Sequence, residues 1–210
     1  MTSRMTTTVV SANLCKRLVF ALAFALAAGT PAGSAPGVGS DPSESEPNTK
    51  LSLPQFEGLA RKCAPGVSPQ IMEGIARTES AMYPYALSIN YPLRSARYHG
   101  YSGKIIMRRQ PSSKTEAIHW ARWYLEKGYT VSVGLVQVNV EMADKFHVKP
   151  MALFEPCVNL AAGAKILLED YAFVPHSESG MIQAFSLYNS GSMSLGISNG
   201  YASTVVQNSR

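Results

Sequence analysis

Apolar residues recur at helical spacing between Ser68 and Pro84, and they predict the helix that organises the rest of the chain. Ser68 is a favourable N-cap, and Pro84 ends the pattern because the residue before a proline avoids the helical conformation. A turn of about 100° per residue places the apolar side chains in one stripe. The stripe contains Ile71, Met72, Ile75, Ala76, Met82 and Tyr83. Glu79 falls near its middle, so the pattern predicts a carboxyl group that faces the core.

Glu79 differs in this respect from the other glutamate of the segment. Glu73 lies on the opposite face, where we expect an ordinary i,i+4 pair with Arg77. Burial disfavours the charged form of the Glu79 carboxyl and is expected to raise its pKa, which suits a general acid. The alternative is a glutamate near the helix end whose side chain reaches solvent, and this helix alone leaves both interpretations open.

Further periodic segments predict a mainly α fold with a few short strands. Ser113-Lys-Thr-Glu116 is a capping box that opens one helix, and Asn159 is a suitable cap for another. The other predicted helices are Leu53–Lys62, 113–127, Leu160–Phe173, Ser179–Tyr188 and Ser198–Asn208. The predicted strands are Tyr85–Ile89, Lys104–Arg108 and Tyr129–Val133. No internal repeat and no second domain is expected.

The N-terminal residues have the pattern of an export signal. Three basic residues precede the apolar run Leu18–Ala28, and small residues follow through Ala35. This run is too short to cross a membrane and is typical of a secretory signal peptide, the alternative being an uncleaved anchor. We expect residues 1–35 to be the signal peptide, 36–50 a flexible linker and 51–210 one domain. The protein is therefore expected to be periplasmic or secreted.

The charge of the chain argues against a nucleic-acid partner. The net charge is +5, but three of the 19 basic residues and none of the 14 acidic residues lie in the expected signal peptide. The remainder has 16 basic and 14 acidic residues, a net charge of +2. A nucleic-acid-binding domain normally shows a strong basic stripe, which is missing from this pattern.

The cysteines suggest a disulfide. Removal of the signal peptide removes Cys15 and leaves Cys63 and Cys157, and an even number in an exported chain favours a bridge. The alternative is two free buried thiols. The four histidines have no partner at metal-ligand spacing, so no metal site and no cofactor is expected.

Two short motifs carry polar side chains suited to sugars. The stretch Gly134–Asn139 places the amides of Gln137 and Asn139 on one side of an extended segment. Amides both donate and accept, which suits acetamido and hydroxyl groups, the alternative being a turn with two capping amides. The second motif, 188–191, reads Tyr-Asn-Ser-Gly and marks a helix exit.

Aromatic residues are concentrated in two further places. Trp120, Trp123 and Tyr124 belong to the helix after residue 113, and we expect them to add bulk to the core rather than to form a sugar-binding platform. The Tyr- and Arg-rich segment 84–111 is expected to be a solvated hairpin, the alternative being a wall of a groove for a sugar polymer with acidic peptides.

Taken in order, these motifs resemble one family. Their order is similar to that of the lytic transglycosylase domain of goose-lysozyme type, in its small exported branch associated with type IV secretion and conjugation systems. The residues that carry the resemblance are Glu79-Ser80 at a helix end, 134–139, Cys157 before a helix, and 188–191. The resemblance covers residues 51–201. It implies a mainly α (α+β), lysozyme-like single domain with a small three-stranded antiparallel sheet beside the cleft.

The resemblance also implies roles for individual residues. Glu79 is implied to be the catalytic acid and base. The implied substrate-binding residues are Ser80, Gln137, Asn139, Tyr188 and Asn189. Tyr188 is expected to hydrogen-bond near the Glu79 carboxyl. Val136 and Leu187 stand where the family usually has Met and Ala, which concerns the shape of the subsites more than activity.

The implied activity is cleavage of the MurNAc–GlcNAc β-1,4 bond of peptidoglycan with formation of a 1,6-anhydro end. The alternatives are a hydrolytic muramidase on the same fold and a non-catalytic peptidoglycan-binding scaffold subunit. Common glycosidases need two carboxylates, and here only Glu79 has both the placement and the motif. The expected partners are glycan strands and subunits of a cell-envelope secretion or conjugation apparatus, the protein itself being a monomer.

Overall fold

The computed structural model of the chain describes residues 46–91, 104–105 and 107–209. These residues belong to one compact unit. The expected signal peptide, Cys15, the linker up to residue 45 and the arginines of 92–103 lie outside the described residues.

Seven α-helices form most of the described part of the chain. Their bounds are α1 Leu53–Cys63, α2 Pro69–Ser80, α3 Lys114–Glu126, α4 Pro156–Ala172, α5 Glu178–Ser190, α6 Leu195–Ser198 and α7 Tyr201–Asn208. Three 3₁₀ turns, Val140–Met142, Asp144–Phe146 and Pro150–Phe154, connect the sheet to α4. The predicted N-caps of two helices are confirmed, since Ser68 Oγ accepts from Ile71 N and Ser113 Oγ accepts from Glu116 N. The mainly helical fold is therefore confirmed.

The strands form one small antiparallel sheet. They are β1 Leu87–Asn90, β2 Lys104–Ile105, β3 Thr130–Val133 and β4 Val138–Asn139, in the order β2-β1-β3-β4. The register pairs Ile89 with Val131 and with Ile105. The three predicted strands are all present, and the two-residue β4 joins their edge by pairing with the end of β3. Because β4 includes Asn139, the sheet leads directly into the polar motif of residues 134–139.

Several predicted helix bounds are wrong, each for a local reason. Helix α2 ends at Ser80, before Pro84 can stop it, because Ala81 and Met82 adopt left-handed backbone conformations with φ of 52° and 72°. The N–H of Met82 then bonds back to Ala76 O at 3.3 Å, which closes the helix end. The predicted C-terminal helix Ser198–Asn208 begins only at Tyr201, as α7, because Gly200 has a φ of 84° and separates it from α6.

Helix α4 begins earlier than predicted. It starts at Pro156 with Glu155 as N-cap, so Asn159 lies inside the helix and does not cap it. The disulfide between Cys63 and Cys157 is present, with a Cα–Cα distance of 5.2 Å, and it joins the end of α1 to the first turn of α4.

The core contains one continuous cluster of apolar side chains between the helices and the sheet. Its fully buried members include Phe56, Met72, Ile75, Leu135, Phe154 and Leu160. Glu73, predicted on the far face, is only 7% exposed, and its pair with Arg77 is confirmed at 2.6 Å. No helix among the described residues combines the length and apolarity needed to cross a bilayer.

Helix α7 packs across α2 and approaches it closely. A Cβ at Gly74 would lie 2.6 Å from Val205 O, so the contact requires glycine at this position. Asn208 Nδ2 donates to Thr78 Oγ1 at 3.1 Å and ties the end of α7 to α2. This packing brings the first residue of α7, Tyr201, to the last turn of α2.

Candidate active site

Glu79 lies in the last turn of α2 and is half-buried. Its Oε1 accepts a hydrogen bond of 2.7 Å from the hydroxyl of Tyr201. A glutamate that merely reached solvent from the helix end would not be held in this way by a side chain from another helix. The structure thus places the Glu79 carboxyl at a packed junction between α2 and α7.

Tyr201 is the principal residue of this site that sequence reasoning missed. It follows Gly200 at the start of α7 and is half-buried. Burial raises the pKa of the Tyr201 hydroxyl strongly, and the charge of Glu79 raises it further. The hydroxyl therefore stays protonated and acts as a permanent donor to the carboxyl. The sequence does offer one signal for Tyr201: it is a single aromatic residue in a segment otherwise rich in Ser, Asn and Gly.

Ser80 is buried, and its hydroxyl is committed to the protein. Its Oγ lies 2.7 Å from Leu135 O and 3.0 Å from Ala76 O, and it accepts from Met82 N at 3.2 Å. The single hydrogen of this hydroxyl is thus taken by backbone carbonyl groups, and one of its two acceptor positions is occupied. Ser80 thereby connects the end of α2 to the loop Gly134–Gln137, which we call the amide loop, and its contact with substrate stays a prediction.

The side chain of Asn159 is fully buried and supports the amide loop from the core side. Asn159 Oδ1 accepts from Val136 N at 2.9 Å, while its Nδ2 donates to Val133 O and to Leu153 O at 2.8 and 3.0 Å. Gly134 has a φ of 81°, and a Cβ there would lie 2.4 Å from Asn159 Nδ2. Asn159 thus supports the loop, a role that its interpretation as a helix cap had hidden.

Tyr188 holds the same loop from the side of α5. Its hydroxyl donates its single hydrogen to Val136 O at 2.7 Å. Gly163 makes room for this contact, because a Cβ there would lie 2.9 Å from the Tyr188 hydroxyl. Burial raises the pKa of Tyr188, and the charges of Glu79 and Asp170 raise it further. Tyr188 is therefore close enough to Glu79 for the two to interact electrostatically, and its hydroxyl contacts the amide loop.

Gln137 ends the amide loop in a left-handed conformation with a φ of 50°. Its Nε2 donates to Ala86 O at 3.1 Å and to Gly134 O at 2.9 Å. Its Oε1 is buried and has no hydrogen-bond partner among the described residues. A buried acceptor without a partner is costly, and a ligand would reach this oxygen only after the side chain or its surroundings move.

The two remaining predicted residues lie at the margins of this arrangement. Asn139 Oδ1 accepts from Glu141 N at 2.9 Å and so caps the first 3₁₀ turn, which is the alternative that its sequence had left open. Asn189 is exposed, and its Oδ1 accepts from Asn199 Nδ2 at 3.1 Å. Through Asn199, whose Oδ1 accepts from Tyr201 N at 3.0 Å, Asn189 is connected to the start of α7.

Metal binding has no support in the described part of the chain, where no cluster of three or more His, Cys, Asp and Glu side chains has a metal-binding arrangement. The chemistry that the site offers is that of one carboxyl group with a phenolic donor beside it. The site also contains the buried Oε1 of Gln137 and the amide loop, which Ser80, Asn159 and Tyr188 hold in place.

Comparison with known proteins agrees with this arrangement. The family model described as "Transglycosylase SLT domain" matches residues 59–206, a range that includes both Glu79 and Tyr201. The chain belongs to the transglycosylase SLT domain family. The lysozyme-like fold that the motifs had implied is thereby confirmed.

Individual relatives carry names that refer to secretion or to virB1. The chain is 36% identical over 146 residues to "Type IV secretion system protein virB1" of Brucella abortus, covering 67% of this chain and 56% of the relative. It is 28% identical over 160 residues to "Protein virB1" of Rhizobium radiobacter, covering 75% of this chain and 62% of the relative. The chain thus spans less than two thirds of the length of these relatives. No solved structure matches it significantly.

Proposed function

We propose that this protein is a peptidoglycan lytic transglycosylase with Glu79 as its catalytic acid and base. The observation that carries the proposal is the hydrogen bond from Tyr201 to Glu79 Oε1, at 2.7 Å. It fixes the position of a carboxyl group at a helix end in a chain of the transglycosylase SLT domain family. The proposed substrate is the glycan strand of peptidoglycan, cleaved at the MurNAc–GlcNAc β-1,4 bond.

The reaction requires Glu79 to act twice. In the first half, the protonated carboxyl gives its proton to the glycosidic oxygen, the bond from C1 to that oxygen breaks, and the GlcNAc side leaves as an alcohol. In the second half, the Glu79 carboxylate takes the proton of the C6 hydroxyl as that oxygen bonds to C1 of the same MurNAc residue. Attack within one ring has a large proximity advantage over attack by free water. No water is consumed, and Glu79 regains its proton.

The surroundings of Glu79 suit both halves of this cycle. Burial of the carboxyl favours its protonated form, whereas the hydrogen bond donated by Tyr201 favours the carboxylate form. A group that first donates and then accepts a proton requires both states to be accessible. Tyr201 is therefore a positioning and tuning residue in this proposal.

Gln137 is proposed to position the acetamido group of the substrate. Its buried Oε1 has no hydrogen-bond partner among the described residues, and an acetamido N–H is a donor of the right kind. An oriented acetamido group can stabilise the positive charge at C1 in place of a second carboxylate. Ser80, Asn159 and Tyr188 are proposed to keep the Gln137 backbone in place by holding the amide loop.

Two carboxylates that could compete for a catalytic role are committed to ion pairs. Glu116 forms an ion pair with Arg109, and Glu155 forms one with the buried Lys114 at 2.6 Å. Fixed ion pairs of this kind stabilise the fold and leave the carboxylate without a base function.

One observation favours the hydrolytic muramidase as the second candidate. Asp170 acts electrostatically on Tyr188, its Oδ2 is buried without a hydrogen-bond partner among the described residues, and burial raises its pKa to about 6. A second carboxyl near the site is what a hydrolase uses to activate water. The two functions differ in their product: the hydrolase leaves a reducing end, and the lytic transglycosylase leaves an end lighter by one water.

The cellular role is proposed from the relatives. Because two of them are named for type IV secretion or virB1, we propose that cleavage opens the wall locally for the assembly of such an apparatus. This role requires export, so residues 1–35 are proposed as a signal peptide, 36–50 as a linker and 51–210 as the enzymatic domain. Mass spectrometry of the N-terminus of the protein recovered from the periplasm tests the cleavage.

The activity is tested by zymography in a peptidoglycan-containing gel, with wild type beside Glu79→Gln. The amide cannot give up a proton as the acid does, so clearing should be lost while binding to the wall is retained. Equal clearing by the two proteins would remove Glu79 from the mechanism. Absence of clearing by both, with binding retained, would support the scaffold alternative.

A further inference from the structure

One face of α3 lines an open groove of about 330 Å³. Its lining residues are Thr115, Ile118, His119, Arg122, Trp123 and Glu126. The opposite side of the helix carries Ala117 and Ala121, which are fully buried against the sheet. The groove therefore lies on the outer side of α3. None of its residues belongs to α2, α5, α7 or the amide loop, so it is separate from the candidate active site.

The groove contains an exposed and firmly held indole ring. Trp123 is 41% exposed, contrary to the expectation that it would belong to the core. Two aromatic neighbours pack against it nearly at right angles. The ring centroid of Tyr124 lies 4.9 Å away with an interplanar angle of 90°, and that of Trp120 lies 6.1 Å away with an angle of 79°. An aromatic ring that is fixed before binding loses little conformational entropy when a ligand stacks on it. Trp123 is thus preorganised for a flat, partly apolar partner, and the C–H face of a pyranose is such a partner.

The charged groups beside Trp123 favour a ligand that carries carboxylates. Arg122 is exposed and forms no ion pair with another described residue. Lys127 Nζ lies over one face of the Trp123 ring, 5.8 Å from its centroid, so a sugar would stack on the other face. A guanidinium group binds a carboxylate through two parallel hydrogen bonds. Glu126 on the same face supplies an acceptor for sugar hydroxyls. Ring face, guanidinium and acceptor together match a sugar with an attached acidic peptide.

We propose that this face of α3 is an accessory binding surface for a peptidoglycan strand, with Trp123 stacked on a sugar ring and Arg122 bound to a carboxylate of the attached stem peptide. The identity of the polymer rests on the proposed function. The surface would hold the protein on the insoluble wall while the site at Glu79 acts on a strand. Its loss should weaken attachment to intact wall material and leave cleavage of short soluble fragments unchanged.

Cosedimentation with purified wall sacculi tests the proposal, using the full chain with Glu79→Gln so that the wall stays intact. Trp123→Ala and Arg122→Ala are compared with Phe173→Ala, which removes a 79% exposed aromatic ring at the end of α4. Loss of a central aromatic or arginine contact should raise the apparent Kd about five- to tenfold, and Phe173→Ala should have no effect. Circular dichroism and the melting temperature verify that each variant is folded.

A second arm separates the two contacts. Sacculi whose free carboxyl groups have been converted to neutral amides by carbodiimide coupling keep the sugars and the cross-links and lose the carboxylates. The Arg122→Ala effect should then disappear while the Trp123→Ala effect remains. If either variant binds untreated sacculi as tightly as Phe173→Ala does, the proposal is wrong.

Failure of this inference is distinguishable from failure of the proposed function. With Glu79 intact, Trp123→Ala should cleave soluble glycan fragments at the wild-type rate. Anhydro ends without any effect of Trp123→Ala on binding would overturn the surface alone. An effect on binding without anhydro ends would overturn the proposed chemistry alone.

Discussion

The hydroxyl of Tyr201 donates to Glu79 Oε1 at 2.7 Å, although 122 residues separate the two in sequence. The contact exists because α7 lies on α2 where Gly74 has no side chain. The last helix of the described chain thus completes the environment of the carboxyl group that a much earlier helix presents.

Tyr201→Phe should lower kcat/KM for glycan cleavage by about 10- to 100-fold, because a hydrogen bond to a charged group contributes about 1.5–3 kcal/mol. The ring and its packing remain, so the melting temperature should change little. Tyr171→Phe is the matched control, since Tyr171 lies at the C-terminal end of α4 and stacks on His176. Full activity of Tyr201→Phe would show that this hydrogen bond has no catalytic role.

Much of the fold followed from the sequence because local signals agreed. Ser68 and Ser113 are caps with ordinary chemistry, and the apolar periodicity of α2 and α3 marks their inner faces. The sequence did not predict the end of α2, because the two successive left-handed residues after Ser80 carry Cβ atoms and no glycine marks the turn. Such a turn is held by contacts from elsewhere in the chain.

The site was predicted only where its residues lie in compact motifs. Glu79 and Gln137 were placed in the candidate site by local pattern, and their catalytic and binding roles stay predictions. Tyr201 and Asn159 were missed because their importance comes from partners far away in sequence, which periodicity and capping preferences do not show. For Tyr188 the sequence indicated a hydrogen bond in the neighbourhood of Glu79, but it did not identify the acceptor, Val136 O, which lies 52 residues earlier.

Gly163→Ala should disturb the amide loop. The added Cβ would lie 2.4 Å from Val136 Cγ2 and 2.9 Å from the Tyr188 hydroxyl, so we expect a loss of about 1–3 kcal/mol in the free energy of unfolding and a lower kcat. Gly58→Ala in α1 is the control: nothing lies within 4 Å of its Cβ position, and helix propensity should stabilise it by about 0.5–1 kcal/mol. Urea denaturation measures both, and equal stability of the two variants would contradict the assigned packing.

Asn159→Ala should destabilise the protein by more than about 3 kcal/mol, because Val136 N–H and the carbonyl groups of Val133 and Leu153 would lose their buried partner. Asn90→Ala serves as control, since no hydrogen bond of the Asn90 side chain with another described residue is present. Urea denaturation of both variants measures the two losses in the free energy of unfolding. A loss no greater than that of the control would mean that water replaces Asn159 at no cost.

Reduction of the Cys63–Cys157 bridge should lower the free energy of unfolding by about 3–5 kcal/mol, because the bridge closes a long loop in the unfolded chain. Mass spectrometry without reductant should first show no free thiol in protein isolated from an oxidising compartment. The double variant Cys63→Ser with Cys157→Ser should match the reduced wild type in urea denaturation. Unchanged stability on reduction would show that the bridge does not constrain the unfolded state.

Asp170 gives a pH dependence with a defined sign. Burial raises its pKa from 3.8 to about 6 in the folded protein, so between these values the folded state holds more protons than the unfolded chain. Its contribution to stability should therefore decrease as the pH rises from about 4 to about 6 and stay low above that range. Asp170→Asn should be more stable than wild type at pH 7, and the difference should shrink towards pH 4. The opposite trend in urea midpoints would show that Asp170 is instead held in its charged form.

The products of wall digestion test the central claim most directly. Sacculi are digested with the wild-type protein and, in parallel, with Glu79→Gln, and the ends of the released fragments are identified by mass spectrometry from the earliest time point. The account predicts 1,6-anhydro muramic ends, one water lighter than reducing ends, from wild type and none from Glu79→Gln. Reducing ends alone from the outset would contradict it and would assign the protein as a hydrolytic muramidase.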